Sequence, residues 1–159
     1  MPESTNTNQL LDALSNGSER LRIHLIGVAG SGMSGIAEML LQIGHQVSGS
    51  DRVSSGETER LIAHGLEFTS PHTAGCVSGA DLVIYSSAIK QGNVAFDAAT
   101  AAGTGMIRRA EALAAILNGR RGIVVAGTHG KTTTSALTAH VLRLGGVKPG
   151  HYVGAEIPL

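Results

Sequence analysis

Residues 21–35 read LRIHLIGVAGSGMSG, and this stretch decides the fold class. Apolar side chains alternate with other types over residues 21–26, which predicts a β-strand. A glycine-rich turn follows, and the apolar spacing over residues 34–43 then predicts a helix that ends at Gly44. A strand, a glycine turn and a helix in this order are typical of the phosphate-binding start of a dinucleotide-type fold.

The predicted elements that follow continue the alternation of strands and helices. Further strands are predicted at residues 46–50, 66–68 and 80–85, and further helices at residues 57–64, 93–102 and 109–117. This order favours a Rossmann-like α/β fold, a parallel sheet with helices on both faces. With two Phe, two Tyr and no Trp in 159 residues, the core must be mainly aliphatic, which suits helices packed on a parallel sheet.

The sequence divides into three predicted regions. Residues 1–20 are expected to be a flexible leader, because their first part is polar and rich in Ser, Thr and Asn. Residues 21–119 form the Rossmann-like domain. Residues 120–159 start a second domain with a buried strand at residues 123–126, a glycine loop and a helix at residues 131–144. One strand and one helix cannot close a core, so we expect this second domain to be incomplete.

The composition argues against several classes of protein. Twelve Lys and Arg balance twelve Asp and Glu, so neither nucleic acid nor an anionic membrane is an expected partner. No apolar run approaches the ~20 residues of a membrane span, and the start of the chain lacks the features of a signal peptide. We therefore expect a cytoplasmic protein. The single cysteine, Cys76, excludes an internal disulfide and a cysteine zinc cluster, and nothing in the sequence indicates the oligomeric state.

The first glycine loop lies where a dinucleotide fold places its phosphate turn. Backbone N–H groups and the dipole of the following helix would face an anion there. In the usual register the loop reads Gly27-x-Ala29-x-x-Gly32, which lacks the second glycine, whereas a complete Gly30-x-Gly32-x-x-Gly35 lies three residues later. The alternative to nucleotide binding is tight packing of the strand against the helix.

Polar residues follow three of the predicted strands or helices at positions suited to ligand contact. Asp51 comes about twenty residues after the first loop, where an acidic side chain can accept hydrogen bonds from ribose hydroxyls. Ser86 and Ser87 follow the fourth strand and could hold phosphate or sugar oxygens, and Arg108 and Arg109 could pair with a phosphate. Each of them has an alternative interpretation as an ordinary loop or surface residue.

The second glycine loop, GTHGKTT at residues 127–133, follows a β-branched strand and opens a helix. This context predicts a phosphate loop for ATP, with Lys131 as the catalytic cation and the Thr132 hydroxyl as a Mg²⁺ ligand. Val125 stands where the full pattern has glycine, so the loop is a shorter form, and His129 is read as a spacer rather than a general base. A tight turn with a chance Gly-Lys-Thr is the alternative. The predicted ATP-binding residues are Gly127, Thr128, His129, Gly130, Lys131, Thr132 and Thr133.

These pieces together resemble the Mur ligase family over about residues 21–150. The matching stretches are IHLIGVAGSGMSGIAE at residues 23–38, GSD at 49–51, SSAI at 86–89, RAE at 109–111 and AGTHGKTTT at 126–134. Two departures are visible. Ala29 stands where the family usually has a glycine, and Ser70-Pro71-His72 stands where it usually has a Gly-His pair, so that His72 is the expected counterpart near the ligand.

The resemblance implies an ATP-dependent ligase of peptidoglycan precursor synthesis that joins L-alanine to UDP-N-acetylmuramate through an acyl phosphate, with ATP and Mg²⁺ required. Lys131 would neutralise charge on the transferred phosphoryl group. The remaining magnesium ligands, the adenine pocket and the amino-acid site would lie beyond Leu159, so we expect no ligase activity from this chain alone. The residues implied to hold the UDP moiety are Gly30, Ser31, Gly32, Met33, Asp51, Ser86, Ser87, Ala88 and Arg108.

Three other functions remain open. A family member that attaches a whole peptide to UDP-N-acetylmuramate during wall recycling would share both loops, although GMSG at residues 32–35 and SSAI at residues 86–89 favour the alanine ligase. An NAD(P)-binding oxidoreductase or regulatory module would explain the first loop but leave residues 127–133 unexplained. A non-catalytic nucleotide sensor would bind at both loops without turnover.

Overall fold

The structure, a computed structural model, describes residues 3–153. The chain divides into two compact units, Met1–Arg121 and Gly122–Leu159, close to the boundary predicted near residue 119. Each unit is described by itself below.

The first unit is a five-stranded parallel sheet with helices, which confirms the predicted α/β fold class. The spatial order of the strands is β3-β2-β1-β4-β5. Its strands are β1 (Arg22–Ile26), β2 (Gln46–Ser50), β3 (Glu67–Thr69), β4 (Leu82–Tyr85) and β5 (Gly105–Arg108), and its helices are α1 (Glu3–Asn16), α2 (Ser31–Ile43), α3 (Gly56–Ala63), α4 (Val94–Ala101) and α5 (Arg109–Asn118), with a 3₁₀ turn at Ala74–Val77.

The core consists of aliphatic side chains, as the composition predicts. The four residues of β1 after Arg22 are buried, which is expected of a central parallel strand covered on both faces. In α2 the buried Met33, Ile36 and Leu40 recur at helical spacing and form its inward stripe. Burying each such side chain stabilises the fold by about 1.5–3 kcal/mol.

The register of the sheet brings the ends of all five strands to one edge. Ile26 at the end of β1 pairs with Ser50 of β2 and Tyr85 of β4, Ser50 pairs with Thr69 of β3, and Tyr85 pairs with Arg108 of β5. The chain runs outward from β1 through β2 to β3 and then returns to the other side of β1 for β4. The strand order therefore reverses between β1 and β4, and open α/β sheets bind ligands in the crevice beyond the carboxyl ends at such a point.

The first correction concerns the predicted flexible leader, because residues 3–16 form helix α1. Leu14 is fully buried, and the buried ring of His45 donates a hydrogen bond from Nε2 to the Leu14 carbonyl at 3.4 Å. α1 also packs against α5, where a Cβ at Gly119 would lie 2.6 Å from Cβ of Ser15. The polar composition of the first eight residues obscured the apolar residues that attach the second half of this helix.

Two further differences are in the elements near the carboxyl edge. Strand β5, Gly105–Arg108, was not predicted because its two apolar side chains, Met106 and Ile107, are adjacent rather than alternating, and because it runs directly into α5. Helix α2 begins at Ser31, three residues before its predicted start. The helix start was predicted too late because glycine is a poor helix former, and the glycines inside α2 are helical only because of the neighbouring packing.

The second unit contains the helix α6 (Lys131–Leu144), which has the predicted bounds. The strand predicted at residues 123–126 is absent, and Ile123 and Val124 are 66% and 78% exposed. A β-strand needs the backbone of a neighbouring strand for its hydrogen bonds, and the described residues of this unit contain no strand to pair with. The apolar run that predicts a buried strand therefore stays unpaired and largely exposed in this unit.

Candidate functional site

The first glycine loop is fixed to the end of β2. Gly27 has φ of +88°, a left-handed conformation that favours glycine. Its N–H and that of Val28 both donate to the Ser50 carbonyl, at 2.8 and 3.2 Å. Gly30 precedes α2 and no side chain caps the helix there. The amino terminus of α2 is thus held at the carboxyl edge of the sheet, where its dipole favours an anion.

The helix start decides between the two glycine registers. Because α2 begins at Ser31, Gly32 lies in its first turn and Gly35 in its second, so the complete but late pattern is mostly helical. Gly27 makes the tight turn at the end of the strand, as in the usual register. The loop carries alanine at position 29, whose N–H donates to Asp51 Oδ2 at 2.9 Å.

Asp51 lies at the predicted edge and holds the loop in place. Its Oδ2 accepts the Ala29 N–H, its Oδ1 accepts the Arg52 N–H at 2.7 Å, and its own N–H donates to the Thr69 carbonyl at 3.2 Å. Each carboxylate oxygen has two lone pairs, so acceptor capacity remains for a ligand hydroxyl. The sequence predicted a ribose contact but not this connection between the β2 end and the first loop.

Gly49 supports the same loop from within β2. A Cβ at this position would lie 2.7 Å from Cγ1 and 2.8 Å from Cβ of Val28, which is fully buried. Only a residue without a side chain lets Val28 pack so closely on β2. A glycine inside a predicted strand is a sequence signal of such close approach.

The loop after β4 adjoins the first glycine loop. The Ser86 Oγ accepts the Ala88 N–H at 3.2 Å and the Ser86 carbonyl accepts the Ile89 N–H at 2.9 Å, which makes a tight turn. A Cβ at Gly27 would be 3.7–3.8 Å from side-chain atoms of Ile89 and Ser86, an ordinary contact distance. The two loops therefore line the crevice between β1 and β4 side by side, with Ser87 and Ala88 exposed.

Arg108 lies at the far side of the predicted site. It is the last residue of β5, its side chain is exposed, and its N–H donates to Glu111 Oε2 at 2.6 Å. Three strand spacings separate β5 from β2, about 14 Å at the usual distance between strands. Arg108 and Asp51 thus share one edge but cannot contact the same ligand group. They could hold opposite ends of an extended ligand.

A chain of buried polar side chains, which sequence reasoning missed, runs beneath Asp51. His24 of β1 is fully buried between two hydroxyls of β2, with Nδ1 2.8 Å from Ser48 Oγ and Nε2 3.0 Å from Ser50 Oγ. Ser50 Oγ is in turn 2.9 Å from Nδ1 of the half-buried His72. Three polar residues in strands that are otherwise apolar were the signal available in the sequence.

The environments of His24 and His72 both favour the neutral imidazole. Burial, and secondarily the positive charge of His72, lowers the pKa of His24 to about 4. Burial also lowers the pKa of His72, opposed by the carboxylate of Asp51 and assisted by the cation of Arg52. Neutral rings carry one N–H and one lone pair each, so each ring nitrogen has a definite role as donor or acceptor.

The second glycine loop, in the second unit, is held by its own lysine. Lys131 Nζ donates to the carbonyls of Gly127 at 2.6 Å and Thr128 at 3.2 Å, and Gly130 has φ of +77°. An ammonium group has three hydrogens, so one remains for a phosphate oxygen. No side chain caps the start of α6, and its first backbone N–H groups are available at the loop.

These residues fit a nucleotide phosphate with magnesium. Mg²⁺ usually keeps several waters and binds phosphate oxygens with few protein ligands, so one hydroxyl such as Thr132 at the start of α6 is a sufficient contribution from this segment. Over residues 3–153, no group of three or more His, Cys, Asp or Glu side chains could hold a metal. Among the same residues no helix is long and apolar enough to cross a membrane.

The five-stranded parallel sheet and the glycine turn after β1 define the first unit as a doubly wound α/β domain. The chain belongs to the Mur ligase family: the model of the Mur ligase family, catalytic domain, matches residues 22–121. The family resemblance that the sequence motifs indicate is thereby confirmed.

Relatives and solved structures agree with this membership. The chain is 48% identical over 136 residues to the UDP-N-acetylmuramate–L-alanine ligase of Methylococcus capsulatus, covering 86% of this chain and 29% of that protein. It is 45% identical to the protein of the same name from Laribacter hongkongensis, with 85% and 29% covered. The chain thus spans less than a third of the length of these curated relatives.

Two solved structures show the same fold at 30% identity or more. The UDP-N-acetylmuramate:L-alanyl-gamma-D-glutamyl-meso-diaminopimelate ligase of Neisseria meningitides superposes with a TM-score of 0.80 at 30% identity, covering 87% of this chain and 44% of that one. The UDP-N-acetylmuramate-alanine ligase of Thermotoga maritima gives a TM-score of 0.73 at 32% identity, with 78% and 29% covered.

Proposed function

We propose that this chain supplies the UDP-binding domain and the ATP phosphate loop of a ligase that joins L-alanine to UDP-N-acetylmuramate. The observation that carries the proposal is the 48% identity, over 86% of the chain, to a protein with that name. A reaction that consumes ATP and a UDP-sugar belongs in the cytoplasm.

The first unit offers the diphosphate and the ribose of a UDP moiety groups of suitable chemistry. The uncapped start of α2 suits the diphosphate, because helix N–H groups and the helix dipole both favour negative charge. Asp51 suits ribose hydroxyls through its remaining lone pairs. Arg108 lies about 14 Å away at the other end of the edge, where it would meet the far end of the substrate, and the Ser86 turn lies between them.

The second unit offers the phosphates of ATP a positive charge and a row of backbone donors. ATP and Mg²⁺ would supply the phosphoryl group that activates the muramyl carboxylate and the positive charge that shields it. Lys131 holds its ammonium group in the loop before any ligand binds, so little reorganisation is needed when a phosphate arrives. Thr132 would present its hydroxyl to the ion at the start of α6.

The 159-residue chain alone is proposed to bind the uridine nucleotide without turning over. Its described second unit has no strand beneath the loop and, over residues 122–153, no acidic side chain to complete a magnesium site. Alanine-dependent phosphate release should therefore be the same for the chain and for its Lys131→Ala variant. If the unaltered chain released more phosphate than the Lys131→Ala variant, the proposal that the chain is incomplete as a catalyst would be contradicted.

A second candidate is the ligase that attaches a peptide instead of alanine. It is favoured by the TM-score of 0.80 to the peptide ligase structure, against 0.73 for the alanine ligase structure. Both proteins named in these comparisons act on UDP-N-acetylmuramate, so the first unit would serve either. An assay of the full-length ligase with L-alanine and with the tripeptide L-alanyl-gamma-D-glutamyl-meso-diaminopimelate distinguishes the two candidates. The proposal fails if the tripeptide supports phosphate release and L-alanine does not.

The nucleotide preference of the chain tests the proposal most directly. Calorimetric titration with UDP-N-acetylmuramate, UDP, NAD and NADP should give tighter binding of the two uridine nucleotides. Asp51→Asn keeps the side-chain shape but removes the charge beside the loop, and should weaken binding of UDP. Glu67→Gln, an exposed carboxylate at the start of β3, is the matched control. Tighter binding of NAD or NADP would instead favour an oxidoreductase or regulatory module.

A further inference from the structure

Four side chains form one continuous hydrogen-bonded chain from the interior of the sheet to its carboxyl edge. We call Ser48, His24, Ser50 and His72, in this order, the polar chain. Its three links are 2.8, 3.0 and 2.9 Å long, within the range of good hydrogen bonds. Of the two imidazole rings, His24 is fully buried, and His72, at the outer end, is partly exposed. The buried His24 and Ser50 therefore reach the carboxyl edge of the sheet through His72, whereas Ser48, at the other end, is half-buried.

The hydrogens of the polar chain must all run in one direction. Ser50 Oγ is buried and has the two imidazole nitrogens as its hydrogen-bond partners, so its single hydrogen goes to one ring and its oxygen accepts from the other. His24, when neutral, donates through one nitrogen and accepts through the other. A choice of donor at either end of the chain therefore fixes every other link.

A contact at the inner end of the polar chain favours one of the two directions. The Ser48 hydroxyl also lies 3.5 Å from the Ile23 carbonyl, which can only accept. If Ser48 donates there, its oxygen accepts from His24 Nδ1–H, His24 Nε2 accepts from Ser50, and Ser50 accepts from His72 Nδ1–H. Burial keeps His24 neutral near pH 7, which preserves its acceptor nitrogen. His72 is then left with its lone pair on Nε2.

We propose that the polar chain holds His72 as the Nδ1–H tautomer, so that His72 Nε2 accepts a hydrogen bond from a ribose hydroxyl of the bound uridine nucleotide. His24 and Ser50 are the positioning residues that act through His72. The inference deepens the proposed function and rests on it for the identity of the ligand. The described residues provide Nε2 with no hydrogen-bond partner.

The surroundings of His72 agree with a hydroxyl and disagree with a phosphate as its ligand group. An acceptor nitrogen repels phosphate oxygens, which are acceptors themselves. The charged neighbours that bear on the ring are Asp51 and Arg52, of opposite sign, so they largely offset each other. Asp51 is the residue already suited to ribose hydroxyls, and a ribose offers two hydroxyls to two acceptors.

The tautomer is measured first, on the ligand-free chain. Long-range ¹H–¹⁵N correlation of the histidine rings shows which nitrogen carries the hydrogen. We expect His72 to be protonated at Nδ1 and His24 at Nδ1. Protonation of His72 at Nε2 overturns the inference, and this result needs neither a variant nor a ligand.

The ligand contact is measured with UDP and 2′,3′-dideoxyuridine diphosphate as a pair. Loss of both hydroxyls should weaken binding to the chain by more than tenfold, because two acceptors lose their donors. In Ser50→Ala, UDP should bind about fivefold more weakly while the affinity for the dideoxy nucleotide stays the same. Ser78→Ala, at an exposed serine outside the polar chain, is the matched control and should leave both affinities unchanged.

The outcomes separate the two proposals. If wild-type chain binds no UDP, the proposed function fails, and the ligand part of the inference fails with it. If UDP binds and Ser50→Ala weakens UDP and the dideoxy nucleotide equally, the proposed function stands and the role of the polar chain is refuted. Amide spectra of each variant establish that it is folded, and a Ser50→Ala chain that is unfolded leaves the tautomer measurement to decide.

Discussion

The two glycine loops of this chain differ in what holds them. Both open a helix whose first turn has no side-chain cap, and both turn at glycines with positive φ. The loop of the first unit is fixed by its neighbours, since Ser50 accepts two of its N–H groups and Asp51 a third. The hydrogen bonds recorded for the second loop come from its own lysine and helix start.

The comparison separates motif from scaffold. The second loop is the more specific sequence signal, with Gly, Lys and Thr each matched to a phosphate or its ion, yet the strand expected before it is absent. The first loop departs from the usual fingerprint at Ala29 but has a complete sheet behind it. A motif therefore specifies a turn and a helix start, whereas the neighbouring strands supply the rigidity that preorganises a site.

Acidification should have the largest effect, because the sheet behind the first loop contains the buried and neutral His24. Burial lowers the pKa of His24 from 6.5 to about 4, so the unfolded chain takes up a proton that the folded unit excludes. Stability is thus complete above pH 6.5 and is lost as the pH falls towards 4, by about 3 kcal/mol at most. Burial also lowers the pKa of His45 and His72, which adds to the loss.

Urea unfolding followed by circular dichroism at pH 7.5 and pH 5 measures this loss. His64, which is exposed at the end of α3, provides the control variant His64→Gln, which should keep the wild-type dependence. Equal stability at the two pH values would show that the buried histidines are not held neutral.

Gly49→Ala should remove support from the first loop without touching its sequence. The new Cβ would meet Val28 at 2.7–2.9 Å, and one of the contacts is with Cβ, which cannot rotate away. We expect a loss of about 2 kcal/mol of stability together with weaker binding of UDP. Gly56→Ala, with nothing within 4 Å of the added Cβ, is the control. The thermal unfolding midpoints of the two variants test this prediction. Equal midpoints would mean that Val28 repacks freely around the new side chain.

Lys131→Met should have the smallest effect on stability and a selective effect on binding. The side chain is exposed, so water replaces its two carbonyl contacts and stability should change by no more than about 0.5 kcal/mol. Any binding of ATP to the chain should be lost, while UDP binding should remain. Lys148→Met, at another exposed lysine, should leave both unchanged. A fall in stability as large as that of Gly49→Ala would show that the lysine is a structural support.

Local patterns predicted most of the fold, and contacts between distant residues account for the rest. The apolar alternation of β1 and the helical spacing of α2 follow from burial, so they are legible in the sequence. The role of Asp51 towards Ala29 and the packing of Val28 on Gly49 arise only when β1 and β2 pair. Strand β5 shows no alternation of apolar side chains, and the strand expected at residues 123–126 shows that an apolar run still needs a partner strand.

The positions of the candidate site residues could likewise be predicted where they depend on local patterns. The first glycine loop, Asp51 and the Ser86 turn were located because residues after parallel strands share an edge, whereas Arg108 was implied by the family resemblance, since β5 was not predicted. His24 and Ser50 were missed because each lies inside a strand, where polar residues are counted against a prediction rather than as part of a site. Whether each of the located residues contacts a ligand remains a prediction.

Helix α1 also makes the two extremes of the first unit depend on each other. It packs on α5, the last helix of the unit, and the close approach of Ser15 to Gly119 leaves no room for a side chain at residue 119. Trimming the chain to begin at residue 21 would therefore uncover α5 and leave the His45 ring without its carbonyl acceptor. For anyone shortening this protein for expression, the amino-terminal polar stretch should be kept as part of the domain and not discarded as a tail.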